Sequence, residues 1–273
     1  MKLLREIYNG VWMIHETDLN GLLPVVNSLL SGSKADFSAF VSNEQPRILS
    51  KSVYSTSQGE VKKKVSVIPI KSVITKYDYC GEMGMLTFER LLNDLRSDDS
   101  IGAVVFDMDT GGGEASYMPH VAAAIRNLKS SKPVLTYFSG YCCSAGYYIA
   151  SQSDRVYASH RLDTVGSIGT MVSVTVPNGN SQVDWIRVYA TKSTEKNKHW
   201  EGLISGKPES YIKEVLDPFN DAFHNDVSTG RPGLPDEVFT GKSVTADEGV
   251  NLKLVDGIKS LNEVIEEAFS LIK

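Results

Sequence analysis

Residues 101–109 read IGAVVFDMD, and the chain continues through residue 115 as TGGGEA. The first run is almost unbroken apolar sequence of strand length. A strand that is apolar on both faces is one covered on both faces, as in a parallel sheet between helices. Working outward, the same pattern recurs. Upstream, VSVIPI (65–70) reads as a strand, and Phe88, Leu91, Leu92 and Leu95 share a helical face. Downstream, Met118, Val121, Ala122, Ile125 and Leu128 line another helix, PVLTYF (133–138) reads as the next strand, and residues 145–151 read as the helix after it. This alternation predicts βαβ units around a buried, mainly parallel sheet. Further strands are expected at 170–176 and 185–191. A helix is expected at 208–228, with Ile212, Val215, Leu216, Phe219 and Phe223 on one face, then a short strand near 252–255 and a helix over 260–272.

The first 62 residues read differently. Leu19, Leu22, Leu23, Val26, Leu29 and Leu30 recur at helical spacing, interrupted by Pro24, so residues 1–31 are expected to be a helical appendage. Residues 32–62 are polar and read as a linker or loosely ordered arm. The expected division is therefore an N-terminal arm over 1–62 and an α/β domain over 63–273. Whether the arm is a propeptide is left open by the sequence.

Bulk composition is that of a soluble globular protein: 273 residues, 41% hydrophobic and 22% charged. A net charge of -5 offers no bulk attraction to nucleic acid or anionic membrane. Arg5, Glu6 and Asn9 break the first apolar stretch, so it lacks a signal-peptide core, and no apolar run is long enough for a membrane anchor. Three cysteines, Cys80, Cys142 and Cys143, form no zinc spacing and read as reduced thiols in a cytoplasmic setting.

Three glycine-containing turns follow predicted strands. In the first, Gly111, Gly112 and Gly113 leave backbone N–H groups uncovered, able to meet an anion or a carbonyl. A plain strand-to-helix turn is the bland alternative. The phosphate-loop and dinucleotide-binding patterns are absent. The second is SGYCCSAGYYIAS (139–151). It sets Ser144 between a strand and a helix, where the N–H of Ala145 can help stabilise an oxyanion. A serine there is also the usual helix N-cap, and the esterase elbow is not matched, because residue 142 is cysteine. The third is VGSIGTM (165–171), a tight turn holding Gly166, Ser167, Ile168 and Gly169.

A serine nucleophile needs a base. None of His15, His120, His160, His199 and His224 sits in a segment arranged to hold an imidazole. A lysine serves if burial strips its ammonium of water. Lys192, Lys196 and Lys198 lie together in YATKSTEKNKHW (189–200), although a lysine in a polar loop is ordinarily a solvated surface charge.

Taken in order, these turns resemble the signal peptide peptidase A family of Ser–Lys peptidases, which includes phage head-maturation proteases. The family's strand–Asp–Ser–Pro–Gly–Gly run appears as FDMDTGGG, with Thr110 and Gly111 in place of Ser–Pro. Its A-S-G-G-Y-Y-I-A run appears as CSAGYYIA, with Ala145 replacing a glycine, and its T-G-S-I-G-V run as VGSIGT. FTGKSVTA (239–246) and LKLVDGI (252–258) match its C-terminal stretches, with Lys253 replacing a glycine. The resemblance covers about 65–260. It implies a Clp protease/crotonase-type fold, a repeated ββα superhelix with a mainly parallel sheet. It also implies a serine endopeptidase with Ser144 as nucleophile and Gly112, Gly113 and Ala145 around the oxyanion. Gly166 to Gly169 would be a substrate-binding turn, with no metal or organic cofactor.

STEK, aligned on the family's G-x-x-K, points to Lys196 as base, and an extra length of about two residues keeps Lys192 and Lys198 as alternatives. The implied partners are a polypeptide substrate, further copies in a homo-oligomer and a capsid or scaffold protein, in the cytoplasm or a prohead. A crotonase-like acyl-CoA enzyme and an inactive assembly scaffold are the rival readings on the same fold.

Overall fold

The computed structural model describes residues 11–15, 44–55, 59–79, 81–174, 190–193 and 195–272. Its strands are β1 (Trp12–Ile14), β2 (Arg47–Ser55), β3 (Gly59–Ile70), β4 (Ala103–Thr110), β5 (Gly112–Glu114), β6 (Val134–Cys143), β7 (Arg155–Ala158), β8 (Thr164–Gly166), β9 (Ser243–Thr245) and β10 (Gly257–Ile258). The helices used below are α1 (Met85–Ser97), α2 (Met118–Lys129), α3 (Ala145–Ala150), α4 (Lys198–Ile204), α5 (Asp217–Gly230), α6 (Ala246–Asn251) and α7 (Leu261–Leu271).

The main sheet runs β10-β7-β6-β4-β3-β2. All its neighbours are parallel except the β2–β3 hairpin. The architecture is therefore mixed α/β with a mainly parallel sheet, as the alternation predicts. Strand β4 shows why its sequence is apolar throughout. Val104, Phe106 and Met108 face the layer of α1 and α2, while Ala103 and Val105 face α7 through Val264, Ile265, Ala268 and Phe269. Side chains alternate along a strand, so two covered faces require apolar residues at both parities. The predicted stripe of α2 is wholly buried against this sheet.

Four expectations meet a different structure. Residues 12–14, expected in a helical appendage, form β1, antiparallel to β5 with Met13 opposite Gly113. Three residues are too few to show a periodicity, and their pairing partner lies about a hundred residues away. Residues 47–55, expected as linker, form β2 on the edge of the sheet, with Ile48 57% exposed. An edge strand faces solvent along one side and carries polar residues accordingly. Thus two pieces of the 1–62 arm are hydrogen-bonded to strands of the 63–273 region. The strand expected near 252–255 is a turn in which Leu254 and Val255 are buried, and the strand follows at Gly257–Ile258. Burial in a packed turn produces the same apolar run as burial in a strand. Lys253, standing where the resembling motif has glycine, carries φ 63 in that turn. Finally, within 170–176 only an isolated bridge from Met171 to Trp12 is present among the described residues. Residues 175–189 and the leucine stripe of 19–30 lie outside the described residues.

Candidate active site

Strands β4 and β6 run in register up to Met108 opposite Phe138, then slip, so that Thr110 faces Cys142. Gly140 lies in the excess length with φ +91, its would-be Cβ 2.6 Å from Asp109 Oδ1. The Tyr141 N–H donates to that oxygen at 3.0 Å, and the Gly140 N–H donates to Asp163 Oδ1 at 3.1 Å. A bulge bends a strand and re-aims the residues after it. Here it carries residues 142–144 toward the glycine turn after β4.

Ser144 joins β6 to α3 with φ 54 and ψ -117. A non-glycine residue in such a conformation costs on the order of 1–3 kcal/mol and persists only where its surroundings over-determine it. The surroundings are on hand. The Ser144 N–H donates to Gly166 O at 2.8 Å, and the Tyr148 N–H donates to Ser144 O at 2.9 Å. Helix α3 is itself tied down: Tyr147 Oη donates to Leu254 O at 3.0 Å, and Tyr148 bonds Asp226 and stacks on Phe223. Ser144 is 1% exposed, and its Oγ has no hydrogen-bond partner among the described residues. The neighbouring Cys142 does not compete with it as a nucleophile, because burial pushes that thiol well above its ordinary range.

The glycine turn lies against this serine. A Cβ placed on Gly112 (φ +111) would stand 2.9 Å from Ser144 Cβ, 2.9 Å from Ala145 N and 2.1 Å from Met13 O. These atoms therefore converge on one point. The direction of each glycine amide follows from the flanking strands. Ile74 N–H donates to Gly112 O at 2.8 Å, and Glu114 N–H donates to Ile74 O at 2.9 Å, so the N–H and C=O of Gly113 point away from Ile74. On that other side His15 N–H donates to Gly111 O at 2.6 Å, and Ala115 N–H donates to Val11 O at 3.0 Å. Bonded rungs alternate in an antiparallel ladder, so Met13 opposite Gly113 is the bonded rung between them, with the Gly113 N–H donating to Met13 O. Gly112 N–H is instead taken by Thr110 Oγ1 at 3.1 Å. Ala145 N–H, at the first position of α3, is one of the amides a helix leaves without an internal acceptor.

The third turn completes the surround. Strand β8 pairs with Tyr141–Cys143 of β6 and with β9, bringing Gly166 (φ +110) under Ser144. Ser167, Ile168 and Gly169 border a cavity of about 510 Å³ that Ile14 and Phe239 also line. Five expected residues, Ser144, Ala145, Gly112, Gly113 and Gly166, are thus gathered in one place. Lys196 is not gathered with them: it stands exposed on a turn, as does Lys192, and Lys198 pairs with Glu195 at 2.8 Å.

Sequence reasoning missed β1, Asp109, Asp163 and the work of Thr110. The Thr110 hydroxyl donates to Ser72 O at 2.7 Å while accepting from Gly112 N–H. Thr110→Val keeps the shape and strands both buried partners, at about 1–3 kcal/mol. The expected result is a Tm lower by several degrees, read by thermal denaturation, with a larger proportional loss of turnover. An unchanged Tm would show that this hydroxyl does not hold the turn.

Protease 4 of Haemophilus influenzae is 27% identical over 221 residues, which cover 78% of this chain and 35% of that protein. The head-tail preconnector protein of Enterobacteria phage P21 is 23% identical over 201 residues, 71% of this chain and 38% of the other. The chain spans little more than a third of the length of either relative. Among solved structures, a membrane-bound stomatin-specific protease aligns with a TM-score of 0.44 at 20% identity, covering 74% of this chain and 82% of that one. The family model described as peptidase family S49 matches residues 126–273. That match takes in Ser144, the 166–169 turn and everything after it, more than half of the chain, which therefore belongs to peptidase family S49.

Proposed function

We propose that this chain is a serine endopeptidase that hydrolyses polypeptide through an acyl-enzyme on Ser144, with Lys196 as general base. The observation that carries the reading is the state of Ser144: backbone at φ 54, Oγ buried without a partner among the described residues, with Ala145 N–H and the Gly112–Gly113 turn against it. A buried hydroxyl left unbonded is costly unless it is kept for a reacting atom. In the reaction, neutral Lys196 takes the Ser144 Oγ proton and the oxygen attacks a peptide carbonyl. Gly113 and Ala145 N–H groups hold the resulting oxyanion. The turn at Gly166–Gly169 borders the substrate. Lys196 is exposed in the isolated chain, so the working arrangement brings its ammonium over Ser144 and strips it of water.

A homo-oligomer that restricts access to the sites fits a peptidase acting inside a cell. The likeness to a phage head-tail preconnector protein supports a capsid or scaffold partner and a place in the cytoplasm or prohead. Among the described residues no helix is long and apolar enough to cross a membrane.

A fluorophosphonate probe tests the nucleophile: mass mapping is expected to find the adduct on Ser144, and an adduct elsewhere overturns the reading. Alanine replacement of Lys192, Lys196 and Lys198 in turn tests the base. Turnover is expected to rise with pH into the alkaline range and to fall by about 10²-fold or more in Lys196→Ala alone. Full activity in all three variants would remove the lysine from the mechanism.

A further inference from the structure

Strand β1 lies where an extended peptide would lie. It is held by main-chain bonds on both edges: on one by β5, and on the other by reciprocal bonds of 2.8 Å between Trp12 and Met171. That is how a peptide binds by strand addition, with backbone bonds supplying register and side chains filling pockets. Trp12 and Met13 are each 1% exposed and Ile14 4%, and Ile14 closes one wall of the cavity beside the Ser167–Gly169 turn. The register matters most. Met13 O accepts from Gly113 N–H and lies within about 5 Å of Ser144 Cβ and of Ala145 N, by way of the point 2.1 Å from it and 2.9 Å from each of them. The carbonyl of Met13, bonded to the Gly113 amide, therefore points from β1 toward the strand-to-helix junction that holds Ser144.

We propose that Val11–His15 is a built-in substrate and that the chain cuts itself between Met13 and Ile14. This rests on Ser144 being the nucleophile. Ser144 Oγ forms a bond to the Met13 carbonyl carbon as the bond from that carbon to the Ile14 nitrogen breaks. The Oγ proton passes through the base to that nitrogen, which leaves as a free amine. Water then hydrolyses the Met13 ester, yielding a carboxylate and restoring the hydroxyl. Among the described residues Ser144 Oγ has no base beside it, so the bond stands intact and β1 blocks the cleft until the base arrives. Peptide substrates then enter only where β1 has left.

The test follows the purified full chain by intact mass and N-terminal sequencing during incubation, with a fluorophosphonate as probe of Ser144. The expected result is conversion to a species beginning at Ile14, absent in Ser144→Ala. The cut form, and a Met13→Asp variant that expels β1 by burying a charge, should label at Ser144 at least about tenfold faster than the intact chain, as for a site open in under about a tenth of molecules. An intact wild type whose Ser144 labels as fast as that of Met13→Asp overturns the proposal and leaves the nucleophile standing. Cutting that persists in Ser144→Ala, or yields a different first residue, also overturns it. No label on Ser144 in any variant, with circular dichroism showing folded protein, removes the nucleophile itself.

Discussion

Replacing Ser144 with alanine is expected to reduce peptide turnover by about 10⁴-fold or more while moving the melting temperature by no more than a few degrees. Both halves follow from one fact. The Oγ atom is buried and makes no hydrogen bond among the described residues, so its removal strands no partner. Alanine inherits the φ of 54 with the strain serine already carries. The amide bond to Gly166 O and the bond accepted from Tyr148 N–H are main-chain bonds and survive the change. What is lost is the atom proposed to form the acyl-enzyme. A side chain kept for packing would show the opposite pattern, with stability falling and turnover tracking it. Paired thermal melts and peptide hydrolysis separate the two, and near-wild-type turnover by a folded Ser144→Ala protein would end the serine mechanism.

Gly113→Ala is the second large effect, and here stability and activity are expected to fall together. A Cβ on Gly113 would stand 1.9 Å from Ile74 O, 2.6 Å from Ile74 C and 2.7 Å from Ile74 Cα. All three are backbone atoms, so no rotamer change relieves the contact. Either β5 moves off Ile74, breaking the bonds on both sides of it, or the Ile74 segment is pushed outward. Overpacking of this kind costs about 1–3 kcal/mol, and at this chain length each kcal/mol lowers Tm by about 2–4 °C. The Gly113 N–H moves with its strand. Loss of one oxyanion donor, the role proposed for this amide, is worth about 10²- to 10³-fold in rate. Turnover should therefore fall further than the loss of folded protein explains, which single-temperature assays well below the variant's Tm resolve. A Gly113→Ala protein with unchanged Tm and rate would contradict the close approach of β5 to Ile74.

Much of the frame was legible in the sequence because it is set by local patterns. The apolar run at 101–109 could be read as a strand covered on both faces, and the stripe from Met118 to Leu128 as a helix covering one of them, because period alone carries that information. Ser144 could be found because a small-residue junction between strand and helix is a local feature. The strand β1 could not. Trp12, Met13 and Ile14 have no period to read, and their bonds go to Gly112–Glu114 and Met171, far along the chain. Asp109 and Asp163 were equally silent, since an acidic residue beside a turn looks the same whether it faces solvent or fastens a bulge.

The order of the three glycine turns and the serine among them was enough to mark out the segments that the fold gathers into one candidate site. It was not enough to choose between neighbouring amides. Gly112 and Gly113 are indistinguishable as sequence, yet successive N–H groups of a strand point to opposite edges. Ile74 on one edge and Met13 on the other decide that the Gly113 N–H goes to Met13 while that of Gly112 turns to Thr110. Local sequence sets what a backbone segment can adopt. Which way its hydrogen bonds aim is set by the strands that come to lie beside it, and those are brought there only by the tertiary fold.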